Sequence, residues 1–437
     1  MTLVLAWNNV RTNRAGFAAS FLAVLLAVTL VGGSGLLVAG AGERDELNGV
    51  MGLLVLSALV SGFVSVFVVA GMLGLHVLRQ RRNVGLLRSI GMTPRQVRRL
   101  ITAEALVVAV LASAAGCALA IPYAEAMALL LRAVGLAPTG VPLALIPGPF
   151  VLALGVGLLV TLLAARVAAR KAVDVGPLEV LRDSAAQRRL MPWPRAVVGV
   201  LALAGGVVLL RLVPQLNVKD AMPAGLGATM TLCVGASALG PVALRGLGWV
   251  LGAPAAWADP GAGTLARSAL VTQPRRAMAA ASPVMLTVAL ACTFLFAIAT
   301  SDAAAGATRT GPAAWVAPVL VGSAVAYTVI SVVNATAMSM AERAEEIRLL
   351  RSVGTSPRQL VRAVCWESLI VTSVGALLGT GIATASLTAM GQALTGEPWF
   401  AYSAPQYAGL LLVCAVSGLA GGLSATRGAR RGPLVAG

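Results

Sequence analysis

The sequence predicts an all-α polytopic membrane protein of about ten transmembrane helices, arranged as four, two and four helices with two parallel pseudo-symmetric repeats. Three observations lead to this prediction: the composition, the length of the apolar stretches and a motif that occurs twice. The mean hydropathy is +0.88, with 58% apolar and 11% charged residues. A soluble globule of this composition would expose large apolar patches, so the composition indicates an integral membrane protein.

Ten apolar stretches are near or above the length that crosses a hydrocarbon core of about 30 Å. In chain order they span approximately residues 16–40, 50–77, 102–131, 146–166, 195–213, 223–244, 279–300, 313–339, 364–390 and 406–425.

An internal repeat organises these stretches. Residues 86–96 read LLRSIGMTPRQ and residues 349–359 read LLRSVGTSPRQ, with eight of eleven positions identical at an offset of 263. The match extends outward, because Glu104 corresponds to Glu367 and each copy precedes an apolar stretch. A duplication of this kind is typical of pseudo-symmetric membrane proteins.

The repeat divides the chain into three segments. Residues 1–182 and 261–437 each hold four predicted helices, and residues 183–260 hold two unrepeated helices with their linker. Each four-helix repeat starts and finishes on the same side of the membrane. The repeats are therefore predicted to be parallel, related by an axis along the membrane normal.

The basic residues predict the orientation. With the N-terminus in the cytoplasm and ten alternating spans, 28 of the 33 cations fall on the cytoplasmic side. The other five are Arg44, Arg132, Arg211, Lys219 and Arg309. We therefore expect a multi-pass plasma membrane protein with both termini in the cytoplasm.

The net charge of +17 does not indicate nucleic-acid binding, since the cations are spread over every cytoplasmic loop with little aromatic interleaving. Attraction to anionic membrane lipids explains them better. The five cysteines and the single histidine show no metal-ligand spacing. The chain has no GxxxxGK(S/T) phosphate loop, and we expect no catalytic residue, no metal site and no ATPase site of its own.

Each copy of the repeated motif predicts a sharp helical corner at the membrane surface. A glycine, Gly91 or Gly354, stops the helix that leaves the membrane. Thr93 or Ser356 then serves as N-cap of the next helix, with proline at the first helical position and glutamine placed to close a capping box. A helix lying in the headgroup layer would explain the basic amphipathic approach to each corner, but lipid contact does not require a duplicated cap.

This motif, (L/I)LRS(I/V)GxxPRQ between two membrane helices with a Glu eight residues after the Gln, resembles the FtsX-like permeases of ABC transporters. That family includes the macrolide-exporter and lipoprotein-release permeases. The similarity covers both four-helix repeats. The resemblance implies that each corner docks on a separate cytosolic ABC ATPase, expected to be a homodimer, which would bind the ATP and Mg. The docking residues implied by the motif are Leu87, Arg88, Gly91, Thr93, Pro94 and Gln96, with Leu350, Arg351, Gly354, Ser356, Pro357 and Gln359.

The loops that carry large extracytoplasmic domains in many members of that family are short here, at about 41–49 and 301–312. They are too short to fold into domains. The resemblance thus implies a permease subunit that moves an amphipathic or lipid-like substrate outward. An ATPase-driven regulator of an envelope process and a secondary transporter are the alternatives.

Glu104 and Glu367 follow the two corners by about two to three helical turns. A carboxylate inside hydrocarbon costs about 2.5–3.5 kcal/mol on insertion scales for comparable charges, so each should face protein or lie near the interface. We interpret both as candidates for structural ion pairs with arginines of neighbouring helices. A proton-coupled role would need further carboxylates at mid-membrane.

Overall fold

The computed structural model describes residues 14–43, 48–89, 91–133, 146–173, 193–306 and 355–430, with short helical pieces between 318 and 333. These residues form helices and short turns, and no strand occurs among them. The helices are α1 (Arg14–Ala41), α2 (Asn48–Ser89), α3 (Pro94–Ala133), α4 (Pro147–Val173), α5 (Trp193–Leu212), α6 (Val218–Leu251), α7 (Ala253–Ala258), α8 (Ala262–Thr272), α9 (Pro274–Ala304), α10 (Pro357–Thr395) and α11 (Ala404–Arg430).

In the described part of the chain, nine helices are long and apolar enough to cross a membrane, and they correspond to nine of the ten predicted stretches. The tenth stretch, 313–339, lies mostly outside the described residues. The predicted fold class, an all-α polytopic membrane protein, is confirmed. The grouping into four, two and four helices and the domain boundaries stay predictions.

The chain forms two compact units. The first comprises residues 1–188 with 310–324, and the second comprises 189–309 with 325–437. In the first unit, α1 packs against α2, α3 and α4. Small residues allow this approach: a Cβ added at Gly116 of α3 would lie 2.8 Å from the Leu25 carbonyl oxygen of α1. At the same level, Thr29 Oγ1 lies 3.3 Å from the Gly116 carbonyl oxygen.

In the second unit, α9 packs between α6 and α10, and 83% of its membrane-crossing window is buried. Glycines again mark the closest approach. A Cβ added at Gly379 of α10 would lie 2.6 Å from the Met285 carbonyl oxygen of α9. Close backbone contact replaces bulky apolar packing, because hydrocarbon gives no hydrophobic drive for one membrane helix to bind another.

The unrepeated helices α5 and α6 form an antiparallel pair within the second unit. Pro241 lacks the N–H that would bond the Ser237 carbonyl inside α6. Arg195 of α5 supplies hydrogen-bond donors at this site. Its Nη2 donates to the Ser237 carbonyl and its Nε donates to the Ala238 carbonyl, each at 3.0 Å. A guanidinium therefore caps the proline site from the neighbouring helix.

Candidate functional site

The first corner has the predicted backbone. Helix α2 ends at Ser89, and Gly91 follows with φ +99°, a conformation that favours glycine. Helix α3 begins at Pro94 with a reciprocal capping box. The Thr93 amide donates to Gln96 Oε1 at 2.9 Å, and the Gln96 amide donates to Thr93 Oγ1 at 3.4 Å.

The second corner repeats this cap. The Ser356 amide donates to Gln359 Oε1 at 3.1 Å, and the Gln359 amide donates to Ser356 Oγ at 3.3 Å. Ser356 has the extended backbone of an N-cap, and Pro357 occupies the first turn of α10. The predicted capping box is thus confirmed at both corners. It satisfies amide protons that the first turn of a helix cannot bond internally.

The capped ends are exposed, whereas one face of the helix that follows each cap is buried. Residues 93–96 are exposed in the first corner, as are Ser356 and Gln359 in the second. Immediately after the first cap, Val97 and Ile101 are 0% and 4% exposed. Each cap therefore stands at the surface on a helix that is fixed by its own packing.

Several predicted docking residues lie wholly or partly outside the described residues. The backbone of Leu87 and Arg88 lies in α2, but their side chains fall outside the described residues. Leu350, Arg351 and Gly354 also lie outside them. The role of all twelve residues in docking stays a prediction.

Glu104 and Glu367 are buried, with 3% and 9% of their surface exposed. They occupy corresponding positions on α3 and α10 and each makes a polar or electrostatic contact. Glu104 lies on the same buried stripe as Val97 and Ile101. Both carboxylates therefore face protein, as we expect for groups that are costly in hydrocarbon. Pairing with a neighbouring arginine stays a prediction.

The structure adds one contact at the second corner that the sequence reasoning missed. Arg362 Nε lies 3.3 Å from Asp259 Oδ2, and Asp259 Oδ1 accepts a hydrogen bond from the Ala262 amide at 3.2 Å. Asp259 thus caps the start of α8 and links it to α10. The sequence signal was an Asp three residues before a helical stretch. Since the Arg362 side chain is 68% exposed, the ion pair contributes at most about 1 kcal/mol and acts mainly to position α8.

Among the described residues, no group of three or more His, Cys, Asp or Glu side chains is placed to hold a metal ion. The five cysteines are free thiols, and Cys233, Cys292 and Cys414 are buried.

Removing both capping hydroxyls, by Thr93→Ala and Ser356→Ala, is expected to loosen the first turns of α3 and α10. Loss of one cap typically costs about 1 kcal/mol, so the amides of these turns should exchange with solvent roughly five-fold faster. Hydrogen exchange followed by mass spectrometry measures this rate. Thr102→Ala is the control, because its hydroxyl bonds the Arg98 carbonyl inside α3 and caps nothing. Equal acceleration in the control would contradict the prediction.

Comparison with known protein families shows which domain contains these corners. The model of the FtsX-like permease C-terminal domain matches residues 55–177 and again residues 318–434, together more than half of the chain. The two matched segments start 263 residues apart, the offset of the repeated motif. No curated protein matches the chain. Both corners lie within the matched segments. The chain belongs to the FtsX-like permease family, whose permease domain it carries in duplicate.

Proposed function

We propose that the protein is the membrane permease subunit of an ABC transporter, in which ATP hydrolysis by a separate cytosolic ATPase drives outward movement of an amphipathic or lipid-like substrate. Membership of the FtsX-like permease family indicates a transport subunit that works with a cytosolic ABC ATPase. ATP and Mg would then bind the partner, which we propose to be a homodimer with one subunit on each corner.

The observation that carries this proposal is the pair of exposed, reciprocally capped corners. Each cap fixes the start of a helix at the surface, and that helix continues for 40 residues in α3 and 39 in α10. At 1.5 Å per residue such a helix is about 60 Å long, twice the thickness of the hydrocarbon core. A displacement applied at the corner would therefore be carried through the membrane by a continuous helix.

The basic residues support an orientation with both corners and both termini in the cytoplasm. In the first corner, Arg95, Arg98 and Arg99 are exposed and surround the cap. This charge would attract anionic membrane lipids and an acidic groove on the ATPase alike.

The proposed substrate class rests on the short connections at the opposite end of the helices. Helix α1 ends at Ala41 and α2 begins at Asn48, so no domain lies between them. The connection between α1 and α2 therefore offers no domain that could carry motion to a distant envelope partner. Movement of a molecule that already lies in the bilayer is therefore favoured over regulation of an envelope enzyme.

Co-purification with the cytosolic ATPase tests the proposal. The wild-type protein is expected to retain the ATPase, and a double variant, Gly91→Trp with Gly354→Trp, is expected to lose it because a bulky ring then covers each corner. Gly409→Trp is the matched control, since Gly409 is exposed in α11 and no atom lies within 4 Å of its Cβ position. Equal retention by the folded double variant would overturn docking at the corners.

Dependence of ATP turnover on the substrate separates the alternatives. A transporter is expected to turn over ATP faster when lipid-like compounds are added to proteoliposomes. A regulator would respond to an envelope protein instead. A secondary transporter would move substrate without any ATPase.

A further inference from the structure

Helix α6 meets the second repeat through three buried hydroxyl groups. Thr229 Oγ1 lies 2.8 Å from Ser386 Oγ of α10 and 3.4 Å from Thr293 Oγ1 of α9. All three side chains are fully buried. Thr229 Oγ1 also lies 2.9 Å from the Gly225 carbonyl oxygen, so its one proton and the protons of its two neighbours can be shared around the cluster.

On both sides of the hydroxyl cluster, α6 makes further close contacts with α9 and α10. On one side, a Cβ added at Gly225 would lie 2.5 Å from Met390 Cγ of α10. On the other side, a Cβ added at Gly240 would lie 2.6 Å from Met278 Cγ of α9. Between Thr229 and Gly240, Ser237 Oγ lies 3.3 Å from Ser282 Oγ. Helix α6 thus crosses from α10 to α9 with small residues at each contact.

The first repeat offers a direct comparison, because the two repeats place corresponding residues at the same helix crossing. A Cβ added at Gly116 would meet Val28 Cβ at 2.8 Å, and one added at Gly379 would meet Val288 Cβ at 2.9 Å. Helices α3 and α10 therefore correspond at an offset of 263 residues, and α1 and α9 at an offset of 260.

At these offsets, the positions of Thr293 and Ser386 are taken in the first repeat by Gly33 and Tyr123. The Tyr123 ring lies over Gly33, with Cε1 2.9 Å from the place of an added Cβ. An aromatic ring therefore fills the volume where the second repeat presents two hydroxyls. The position of Ser282, buried beneath α6, is taken by Leu22, which is 41% exposed.

We propose that Thr229, Thr293 and Ser386 form a docking site that fixes α6 on the second repeat, and that Gly33 and Tyr123 deny the first repeat the same site. The unrepeated helices α5 and α6 then act as a brace on one half of the protein. The two halves are consequently unequal, because the hydroxyls of Thr293 and Ser386 that bind Thr229 in the second repeat are replaced by Gly33 and Tyr123 in the first.

The physical reason lies in the membrane environment. Hydrocarbon offers no competing water, so a matched hydroxyl on a neighbouring helix selects one docking position over others of equal hydrophobicity. A glycine and a tyrosine at the corresponding places remove the Thr293 and Ser386 hydroxyls that bind Thr229, and the ring adds bulk where α6 would pack.

Disulfide trapping tests the docking site. In a variant whose five native cysteines are replaced, Ser237→Cys with Ser282→Cys is expected to form a disulfide in most molecules, as quantified by mass spectrometry of the linked peptides. The matched pair, Ser237→Cys with Leu22→Cys, uses the corresponding position of the first repeat and is expected to stay reduced.

A second set of variants removes the hydroxyl groups while keeping the side-chain volume. Thr229→Val is nearly isosteric and is expected to lower the disulfide yield about five-fold under mild oxidation, because α6 loses its polar anchor. Thr293→Gly with Ser386→Tyr, which copies the first repeat, should lower it at least as far. Thr293→Ser with Ser386→Thr keeps both hydroxyls and should keep the yield. If monodisperse Thr229→Val protein forms the disulfide as fast as the parent, the hydroxyl cluster does not fix α6 and the docking site is refuted.

A second measurement tests the brace. Because α6 and α9 are proposed to move together, the disulfide between positions 237 and 282 is expected to change ATP turnover with the partner ATPase by less than about two-fold. Inhibition that a reducing agent reverses would show that α6 moves against α9 and would overturn the brace. The disulfide yield is measured without any ATPase, so it is independent of the proposed transport function.

Discussion

Replacing Gly91 by tryptophan is expected to lower ATP turnover of the complex at least about 10-fold, equivalent to ~1.4 kcal/mol, even when the second corner is unaltered. Gly91 has φ +99°, where a side chain strains the backbone. Among the described residues, no atom lies within 4 Å of its Cβ position, so the side chain starts into open space at the corner. Both effects act on docking while leaving the membrane helices intact.

The measurement is ATP turnover of the reconstituted complex, with the melting temperature of the permease as a check on folding. Gly91→Ala separates the two causes, because alanine strains the backbone but adds almost no bulk. We expect it to fall between the wild type and Gly91→Trp. Gly409→Trp should turn over ATP at the wild-type rate. If the Gly91→Trp complex keeps its ATPase and turns over ATP at the wild-type rate, the first corner does not couple the permease to the ATPase.

The second large effect is expected at the helix crossings. Gly116→Leu places a side chain against the backbone of α1, and Gly379→Leu places one against the backbone of α9. The added Cβ atoms would lie 2.8 Å and 2.6 Å from a carbonyl oxygen. A carbonyl in a packed helix cannot rotate away as a side chain can. We expect each substitution to lower the free energy of unfolding by about 3 kcal/mol or more, at the upper end of overpacking.

Thermal unfolding in detergent, followed by loss of monodisperse protein, measures this effect. Gly381→Leu is the matched control, because Gly381 lies two residues from Gly379 on α10 but is exposed and has no atom within 4 Å of its Cβ position. Leucine also has the higher helix propensity, so the control should be neutral or slightly stabilising. If Gly379→Leu and Gly381→Leu lower the free energy of unfolding by similar amounts, the close helix crossing at Gly379 is contradicted.

The sequence predicted the helices and the caps well because both depend on local chemistry. Apolar length defines a span without reference to any neighbour, and nine spans are found in the described residues. The capping boxes at Thr93 and Ser356 were predictable because all of their atoms lie within four consecutive residues. The positive φ of Gly91 followed from the same local pattern.

Contacts between distant residues were not predictable in this way. Asp259 and Arg362 are about one hundred positions apart, and nothing local to either indicates the other. The same holds for Thr229, Thr293 and Ser386, which read as ordinary small residues inside three apolar stretches. In a membrane helix the apolar faces are alike in composition, so the pattern along one helix does not tell which face meets protein and which meets lipid.

The sequence by itself determined that the chain is a duplicated helical membrane protein with a capped corner in each repeat, because hydropathy, repetition and capping are properties of residues near one another. Only the tertiary structure decided that α6 lies on α9 and α10, where Thr229 binds Thr293 and Ser386. It also decided that, at the corresponding place in the first repeat, the Tyr123 ring lies over Gly33. The reason is that helix pairing in hydrocarbon depends on which few small and polar side chains meet across a crossing, and that meeting exists only once the helices are packed.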